Sequence, residues 1–223
     1  MLSEALTARP YPGRGCVAAR LPDDNLWFGY FLTGRSVASR SRAVERGGAG
    51  DLWVVDTRSG GEHDSLRHYV AGARRGSWTV VGNGDQVEPL AAALATSTDA
   101  VSAWAAHTYE PDPPIYTPRI WICAGAEEQL LVGSVRRSAR PDRTADRGLW
   151  MPERLAPGDG LLITTYAGSV DEVVTSGLPL DVGTDFTSGE DLLASVWDAL
   201  EPSLRVAAFV AQPADLGAAL HRR

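Results

Sequence analysis

Four short segments of this chain combine arginine with tyrosine, carboxylate or amide side chains, a set of groups that can bind an anion and move protons. They are TyrProGlyArgGly at 11–15, GlyArgSerValAlaSerArg at 34–40, AsnGlyAspGln at 83–86 and TyrGluProAspProProIleTyrThrProArgIle at 109–120. A planar guanidinium holds a phosphate or an oxyanion through paired hydrogen bonds. Tyrosine and glutamate are frequent proton donors and acceptors in enzymes. The segments therefore predict acid–base chemistry on a small anionic substrate.

The basic residues narrow this chemistry, because all 21 are arginine and none is lysine. Schiff-base chemistry, a P-loop lysine and a lysine general base all need an amine, so the composition excludes these mechanisms. The net charge of −7 disfavours a nonspecific nucleic-acid binder, since such binders gain most of their affinity by neutralising phosphates. The predicted partner is a small phosphorylated molecule held by guanidinium or backbone N–H groups.

Length and composition indicate an ordinary globular protein. The 223 residues can bury a sizeable core, and we expect one domain over residues 1–223. No apolar run approaches the roughly 18 residues that span a bilayer, and residues 1–12 lack the apolar core of a signal peptide. We therefore expect a cytoplasmic protein with no membrane partner. The two cysteines and four histidines lack the spacing of a disulfide framework or a metal site, so no metal is predicted.

Eight segments have the length and the residue types of β-strands. They cover residues 14–21, 26–34, 52–57, 77–83, 119–124, 129–135, 160–166 and 204–210. ProAspAspAsn at 22–25 favours a turn that joins the first two segments into a hairpin. The charged stretch at 136–147 is expected to be a surface loop.

Helical patterns are fewer than strand patterns. Helices are predicted at 87–107, 188–200 and 213–221. The Asp85 carboxylate is expected to cap the first of them. A few helices among many strands, with short connections, favour an α+β fold with mixed sheets over a βαβ repeat.

In their order and spacing, the four chemical segments resemble the archaeal-type IMP cyclohydrolases, which close the last ring of the purine skeleton. The resemblance extends from residue 11 to about residue 211. It implies the four-layer αββα sandwich of N-terminal-nucleophile hydrolases, without an exposed N-terminal nucleophile. It also implies a reversible dehydration of a formamido-imidazole-carboxamide ribonucleotide to IMP and water, with no metal and no organic cofactor.

The resemblance assigns roles to individual residues. It places Arg40, Tyr69 and Glu110 at the catalytic positions, and Tyr69 lies 14 residues before Asn83, the separation expected in the family. Glu110 is expected to orient the tyrosine or to accept the amide proton, and Asp112 is its substitute because this loop is slightly longer than in archaeal relatives. The expected nucleotide contacts are Arg14, Arg35, Ser36, Asn83, Gly84, Asp85, Thr117 and Arg119.

Each of these residues also has an ordinary structural explanation. Loop arginines often form surface ion pairs, a tyrosine often packs with its hydroxyl bonded to the backbone, and an unselected glutamate is usually exposed. Arg14 and Arg119 are equally consistent with nucleotide contacts and with buried structural arginines. AsnGly at 83–84 is also typical of an ordinary strand-to-helix turn.

Three other functions stay open from the sequence. ValAlaSer at 37–39 stands where archaeal members commonly have PheProAsn, so the chain could close the ring of an analogous nucleotide in a specialised nucleoside pathway. A catalytically silent nucleotide-binding homologue is the second alternative. The third is a Cys16-dependent amidohydrolase, because GlyCys at 15–16 imitates a processed N-terminal nucleophile, although a lone cysteine without a base is usually structural. Whether the chain forms a homo-oligomer is also open.

Overall fold

The computed structural model describes residues 1–58, 66–96 and 100–223. The elements in these ranges follow one another as α1 Leu2–Thr7, β1 Arg14–Arg20, β2 Leu26–Thr33, α2 Val37–Arg40, β3 Arg42–Arg46, a 3₁₀ turn Gly48–Gly50, β4 Leu52–Asp56, β5 Tyr69–Arg75, β6 Trp78–Gly82, α3 Val87–Ala95, α4 Ala100–Ala105, β7 Arg119–Ala124, β8 Leu130–Arg137, β9 Ala145–Trp150, β10 Asp159–Thr164, β11 Pro179–Gly183, α5 Gly189–Ala199, β12 Arg205–Gln212 and β13 Asp215–Arg222. Strands therefore dominate, with helices placed between them.

The strands form two antiparallel sheets in the described part of the chain. One sheet has the order β11-β10-β1-β2-β12-β13, and the other has the order β3-β4-β5-β6-β7-β8-β9. In the second sheet every strand pairs with its neighbours along the chain, so it is a simple meander. The hairpin of β1 and β2 forms as predicted, with Arg14 opposite Leu32 and Arg20 opposite Leu26.

Alternation along the strands explains how the two sheets face each other. On β1, Cys16 and Ala18 pack into a core cluster that contains residues from both sheets, whereas Val17 and Ala19 pack into a second cluster with α1 and α5. A third cluster joins the other face of the second sheet to α3 and α4. Because β1 is buried on both faces, a continuous apolar strand is favoured there. The arrangement is α+β and compatible with the predicted αββα sandwich.

All eight predicted strands are confirmed, and the helix predicted at 188–200 is α5. The prediction of one helix at 87–107 is wrong, because α3 and α4 are separate helices there and residues 97–99 lie outside the described residues. The loop expected at 136–147 is shorter, since β8 and β9 extend into that stretch.

The helix predicted at 213–221 is also wrong, because this segment forms β13. Gln212 pairs with Asp215 across a tight turn, and Leu216 and Ala219 are buried in the cluster between the sheets. Alanine favours a helix by only a fraction of a kcal/mol per residue, so the gain from pairing with β12 and from burial decides the structure.

No helix among the described residues is long and apolar enough to cross a membrane. The expectation of one domain over residues 1–223 stays a prediction.

Candidate functional site

A buried ion pair lies at one end of the space between the sheets. Arg14, the first residue of β1, donates from Nη2 to Glu110 Oε2 at 2.6 Å. The side chains of Arg14 and Glu110 are only 9% and 2% exposed. Asn83 Nδ2 donates to the other oxygen of Glu110, Oε1, at 3.1 Å. The carboxylate therefore has a hydrogen-bond donor at each oxygen, as a buried charge requires.

Asn83 is held in place by the ends of two neighbouring strands. It follows β6, and its side chain donates to Pro118 O at 3.0 Å and accepts from Ile120 N at 2.6 Å. Gly84 comes next with φ of +106°, and a Cβ there would lie 2.5 Å from Arg119 Nη1. This turn therefore needs glycine, both for its backbone conformation and for its space.

Burial governs the titration of the ion pair. Burial raises the pKa of Glu110, and the attraction and hydrogen bond of Arg14 offset this only in part. Burial alone would lower the pKa of Arg14, but the nearby charge of Glu110 holds it well above its usual value. Arg14 thus stays charged, and Glu110 is easier to protonate than an exposed glutamate.

Two tyrosines from opposite sheets meet beside this pair. The hydroxyl of Tyr30 on β2 lies 2.6 Å from the hydroxyl of Tyr69, the first residue of β5. Burial raises the pKa of Tyr30 well above its usual value, which the charge of Arg14 offsets only in part. Both hydroxyls are close enough to Arg14 to interact with its charge.

An open cleft of about 400 Å³ leads to Arg14 and Glu110. Its lining residues are Tyr11, Gly13, Arg14, Thr33, Arg35, Ser36, Ala38, Ser39, Arg42, Leu66, Arg67, Glu110, Asp112, Ile115 and Tyr166. The rings of Tyr11 and Tyr166 lie 5.4 Å apart on one wall. The size is within the range of small-ligand sites, and the wall combines arginines with aromatic rings.

The segment around α2 forms the arginine-rich rim. Ser36 caps this helix by accepting from Ser39 N at 3.1 Å. Arg35 is exposed and donates from Nη1 to Val170 O at 2.8 Å. Arg42 is buried and donates to Ser39 O at 2.7 Å and to Thr33 O at 3.1 Å. Arg42 therefore fixes the position of the rim against β2.

The loop between α4 and β7 forms the opposite wall. Asp112 accepts from the backbone N–H of Thr117 at 2.7 Å and from Thr117 Oγ1 at 2.5 Å. Thr117 Oγ1 also shares a hydrogen bond with the hydroxyl of Tyr166. The backbone N–H of Glu110 donates to Thr117 O at 2.8 Å, which ties the two ends of the loop together.

The structure brings only part of the predicted site to the cleft. Arg14, Arg35, Ser36 and Glu110 line it. Tyr69, Asn83 and Thr117 are buried behind these residues. Glu110 contacts Arg14 and Asn83, not Tyr69 as one of its two expected roles requires.

Arg40 and Arg119 do not line the cleft. Arg40 is exposed in the last turn of α2. Arg119 is buried, donates to Thr108 O at 2.7 Å and to Gln86 Oε1 at 3.1 Å, and pairs with Asp85. These contacts favour the structural explanation of Arg119. The prediction that Asp85 caps α3 is wrong, because Gln86 is the N-cap residue and Asp85 is engaged by Arg119.

Sequence reasoning missed several residues of this site. Tyr11 belongs to the first chemical segment and Arg42 follows the second, so both were within reach of the motifs. Tyr30 has a weaker signal, its alternation with Phe28 and Leu32 on β2. Tyr166 has no signal in the sequence, because it follows β10 and reaches the cleft only through the pairing of β10 with β1.

Cys16 lies in the core between the sheets and does not line the cleft. It is fully buried, and its Sγ points to Val81 O at 3.7 Å. Burial raises the pKa of its thiol, which opposes the thiolate that a nucleophile needs. Both cysteines of the chain are buried. Within the described ranges, no three His, Cys, Asp or Glu side chains form a group that could hold a metal ion.

A protein-family model described as IMP cyclohydrolase-like protein matches residues 11–215. No curated protein matches the chain. The matched span contains every residue that lines the cleft, from Tyr11 to Tyr166.

Proposed function

The chain belongs to the IMP cyclohydrolase-like family, and we propose on this basis that it closes the ring of a formamido-imidazole-carboxamide ribonucleotide to give IMP and water. Membership of the family supports a cyclohydrolase-type function. The choice of this nucleotide is our proposal, as is an N-terminal-nucleophile-hydrolase-like version of the sandwich. Two facing antiparallel sheets with helices on their outer sides support the latter.

The observation that carries the proposal is the buried Arg14–Glu110 pair at the inner end of an arginine-rich cleft. Ring closure joins the carboxamide nitrogen to the formyl carbon, and negative charge develops on the formyl oxygen. A guanidinium held rigidly in a buried site stabilises such charge without reorganising. Asn83 holds the carboxylate of Glu110, and Glu110 fixes Arg14 in this role, so Glu110 acts through Arg14.

The formyl oxygen must then leave as water, which requires a proton donor. The hydroxyl pair of Tyr69 and Tyr30 lies beside Arg14 and is our candidate for this donor. Tyr69 does not line the cleft, so its proton reaches the substrate through an intervening water, a common route for a general acid. Because the reaction is intramolecular, holding the two reacting groups together supplies much of the rate enhancement.

The direct test is to incubate the purified protein with the formylated aminoimidazole-carboxamide ribonucleotide and to follow the absorbance change that marks IMP. We expect IMP formation at a rate well above that of the substrate alone. No acceleration at any substrate concentration would contradict the proposed function and favour a silent nucleotide-binding homologue, which calorimetry with IMP would then detect.

An analogous nucleotide is a second candidate substrate, favoured by one observation. Ala38 and Ser39 line the cleft, and they stand in the 37–39 segment that departs from the archaeal pattern. If this segment contacts the base, its side chains, which are smaller than those of PheProAsn, leave space for a different ring. Assaying formylated imidazole nucleotides that differ only in the base substituent distinguishes the candidates by kcat/KM.

We predict that Arg35→Ala raises KM for the nucleotide about tenfold with little change in kcat. Arg35 lies at the cleft rim and can bind phosphate, and losing a charged hydrogen bond at an exposed position costs near the lower end of about 1.5–3 kcal/mol. Steady-state kinetics measure the effect.

Arg140→Ala is the matched control, because Arg140 is exposed on the loop between β8 and β9, outside the cleft. Equal KM values for the Arg35 and Arg140 variants would show that the phosphate does not bind at the rim. Arg40→Ala, measured in the same series, decides whether the motif arginine at the end of α2 contributes in spite of its position.

A further inference from the structure

The cleft contains a second hydrogen-bonded chain that the roles above do not use. It consists of Tyr166, Thr117 and Asp112, and two of these residues, Tyr166 and Asp112, line the cleft wall. Thr117 is fully buried between them. Its hydroxyl contacts both neighbours, the Asp112 carboxylate at 2.5 Å and the Tyr166 hydroxyl.

The donor and acceptor inventory fixes the direction of this chain. Asp112 Oδ1 already accepts the backbone N–H of Thr117 at 2.7 Å, and an ionised carboxylate can only accept. Thr117 therefore gives its single hydroxyl proton to Asp112 Oδ2. The Tyr166 hydroxyl must then donate to Thr117 Oγ1, because Thr117 has no second proton to offer. The lone pairs of the Tyr166 oxygen are left to accept a proton from the cleft.

The surroundings of Tyr166 support this resting state. Its phenol is buried, and burial raises its pKa, which the charge of Arg14 offsets only in part. Tyr166 thus keeps its proton until another arrives. The ring of Tyr11 packs against it at 5.4 Å and fixes its orientation.

We propose that Tyr166, Thr117 and Asp112 form a proton relay that accepts the carboxamide N–H proton of the substrate during ring closure. This inference rests on the proposed function. As the N–C bond forms, the amide proton passes to the Tyr166 oxygen, the Tyr166 proton to Thr117 Oγ1, and the Thr117 proton to Asp112 Oδ2. Tyr166 is the catalytic residue of the relay. Thr117 and Asp112 hold Tyr166 in position and carry away the proton that it gives up.

The protons balance without an outside donor. Over the whole reaction the carboxamide nitrogen loses one proton and the formamido nitrogen loses one, and the formyl oxygen gains both as it leaves as water. Asp112 lines the same cleft, so the proton that it receives can return to the departing oxygen through water. Once the Thr117 hydroxyl has turned back toward Asp112 and the Tyr166 hydroxyl toward Thr117, the relay is in its resting state again.

The first part of the test compares kcat and KM of the wild type with those of Tyr166→Phe and Thr117→Val. We expect each variant to lower kcat about 10²-fold, the lower end of the range for general base catalysis, because water in the open cleft can replace part of the relay. KM should change less than about threefold. Thr117→Ser keeps the hydroxyl and should recover most of the activity. Tyr109→Phe is the control, since Tyr109 lies on the same loop but outside the cleft.

Asp112→Asn tests the direction of the relay. The backbone N–H of Thr117 holds the amide oxygen, so the amide NH₂ must face Thr117 Oγ1 and donate to it. Thr117 then donates to Tyr166, so the hydrogen bonds point from residue 112 toward Tyr166, opposite to their direction in the wild type. We expect a loss of kcat as large as that of Thr117→Val, with no loss in Tyr109→Phe.

The outcomes separate the relay from the proposed function. An active wild type whose Tyr166→Phe and Thr117→Val variants keep full kcat overturns the relay and leaves the function standing. Loss of activity in Thr117→Ser equal to that in Thr117→Val also overturns it, because packing and not the hydroxyl would then matter. A wild type that does not close the ring overturns both.

Discussion

Replacing Arg14 with methionine is expected to lower the free energy of unfolding by about 3–5 kcal/mol at pH 7, the usual cost of breaking a buried ion pair. The variant keeps Glu110 in a site that is 2% exposed and removes its charged partner. Ring closure should fall in parallel by about 10²–10³-fold, as is typical when one donor to a developing oxyanion is lost. Urea unfolding and steady-state kinetics measure the two effects.

The stability loss should depend on pH in a defined direction. In the variant, the pKa of Glu110 in the folded protein rises further above its value of about 4.3 in the unfolded chain. A carboxyl with a raised folded pKa stabilises the fold below the unfolded pKa, and this contribution disappears as the pH rises through the folded pKa. The difference between variant and wild type is therefore smallest near pH 4 and grows toward pH 7.

Two further variants define what the Arg14 result means. Arg14→Met/Glu110→Gln removes both charges and should regain much of the stability without regaining activity. Arg154→Met breaks the exposed pair with Asp24 and should leave the unfolding midpoint unchanged. An Arg14→Met protein as stable as the wild type at pH 7 would show that Glu110 is hydrated or neutral in the folded state.

The strands that the sequence failed to predict have a common position. Four of the five, β3, β9, β11 and β13, are the edge strands of the two sheets. Edge strands have one neighbour and face solvent, so they carry charges, glycine and proline that obscure the pattern of a strand. In contrast, seven of the eight segments predicted as strands are apolar at most positions, and every strand formed by the eight except β4 is buried at most positions. β5 is the interior exception, and its Gly72, Arg74 and Arg75 interrupt the pattern.

The same reasoning explains what could be predicted of the site. Arg14, Arg35 and Glu110 lie in segments whose residue types and order carry chemical information, and all three line the cleft. Tyr30 lies on a strand and Tyr166 follows one, and both strands look like ordinary core. Only the sheet topology brings the two tyrosines beside Arg14. A sequence motif locates residues that act from their own segment. It does not locate residues that reach the site across a sheet.

The tyrosine pair is the second place where we expect a large effect. Tyr69→Phe should lower kcat about 10²–10⁴-fold, the range for a general acid, while KM and IMP binding stay nearly unchanged. The hydroxyl that is removed lies 2.6 Å from that of Tyr30 and close to the charge of Arg14, where a proton can be delivered to the departing oxygen. Kinetics and calorimetry with IMP separate turnover from binding.

Loss of turnover in Tyr69→Phe could also follow from a disturbed core, because the variant leaves the buried Tyr30 hydroxyl without its partner. An unsatisfied buried hydroxyl costs about 1–3 kcal/mol, whereas removing both hydroxyls is nearly neutral. Tyr30→Phe/Tyr69→Phe should therefore regain stability and remain slow, and Tyr30→Phe alone should be impaired less than Tyr69→Phe. A double phenylalanine variant with full turnover would remove Tyr69 from the mechanism and leave the family assignment intact.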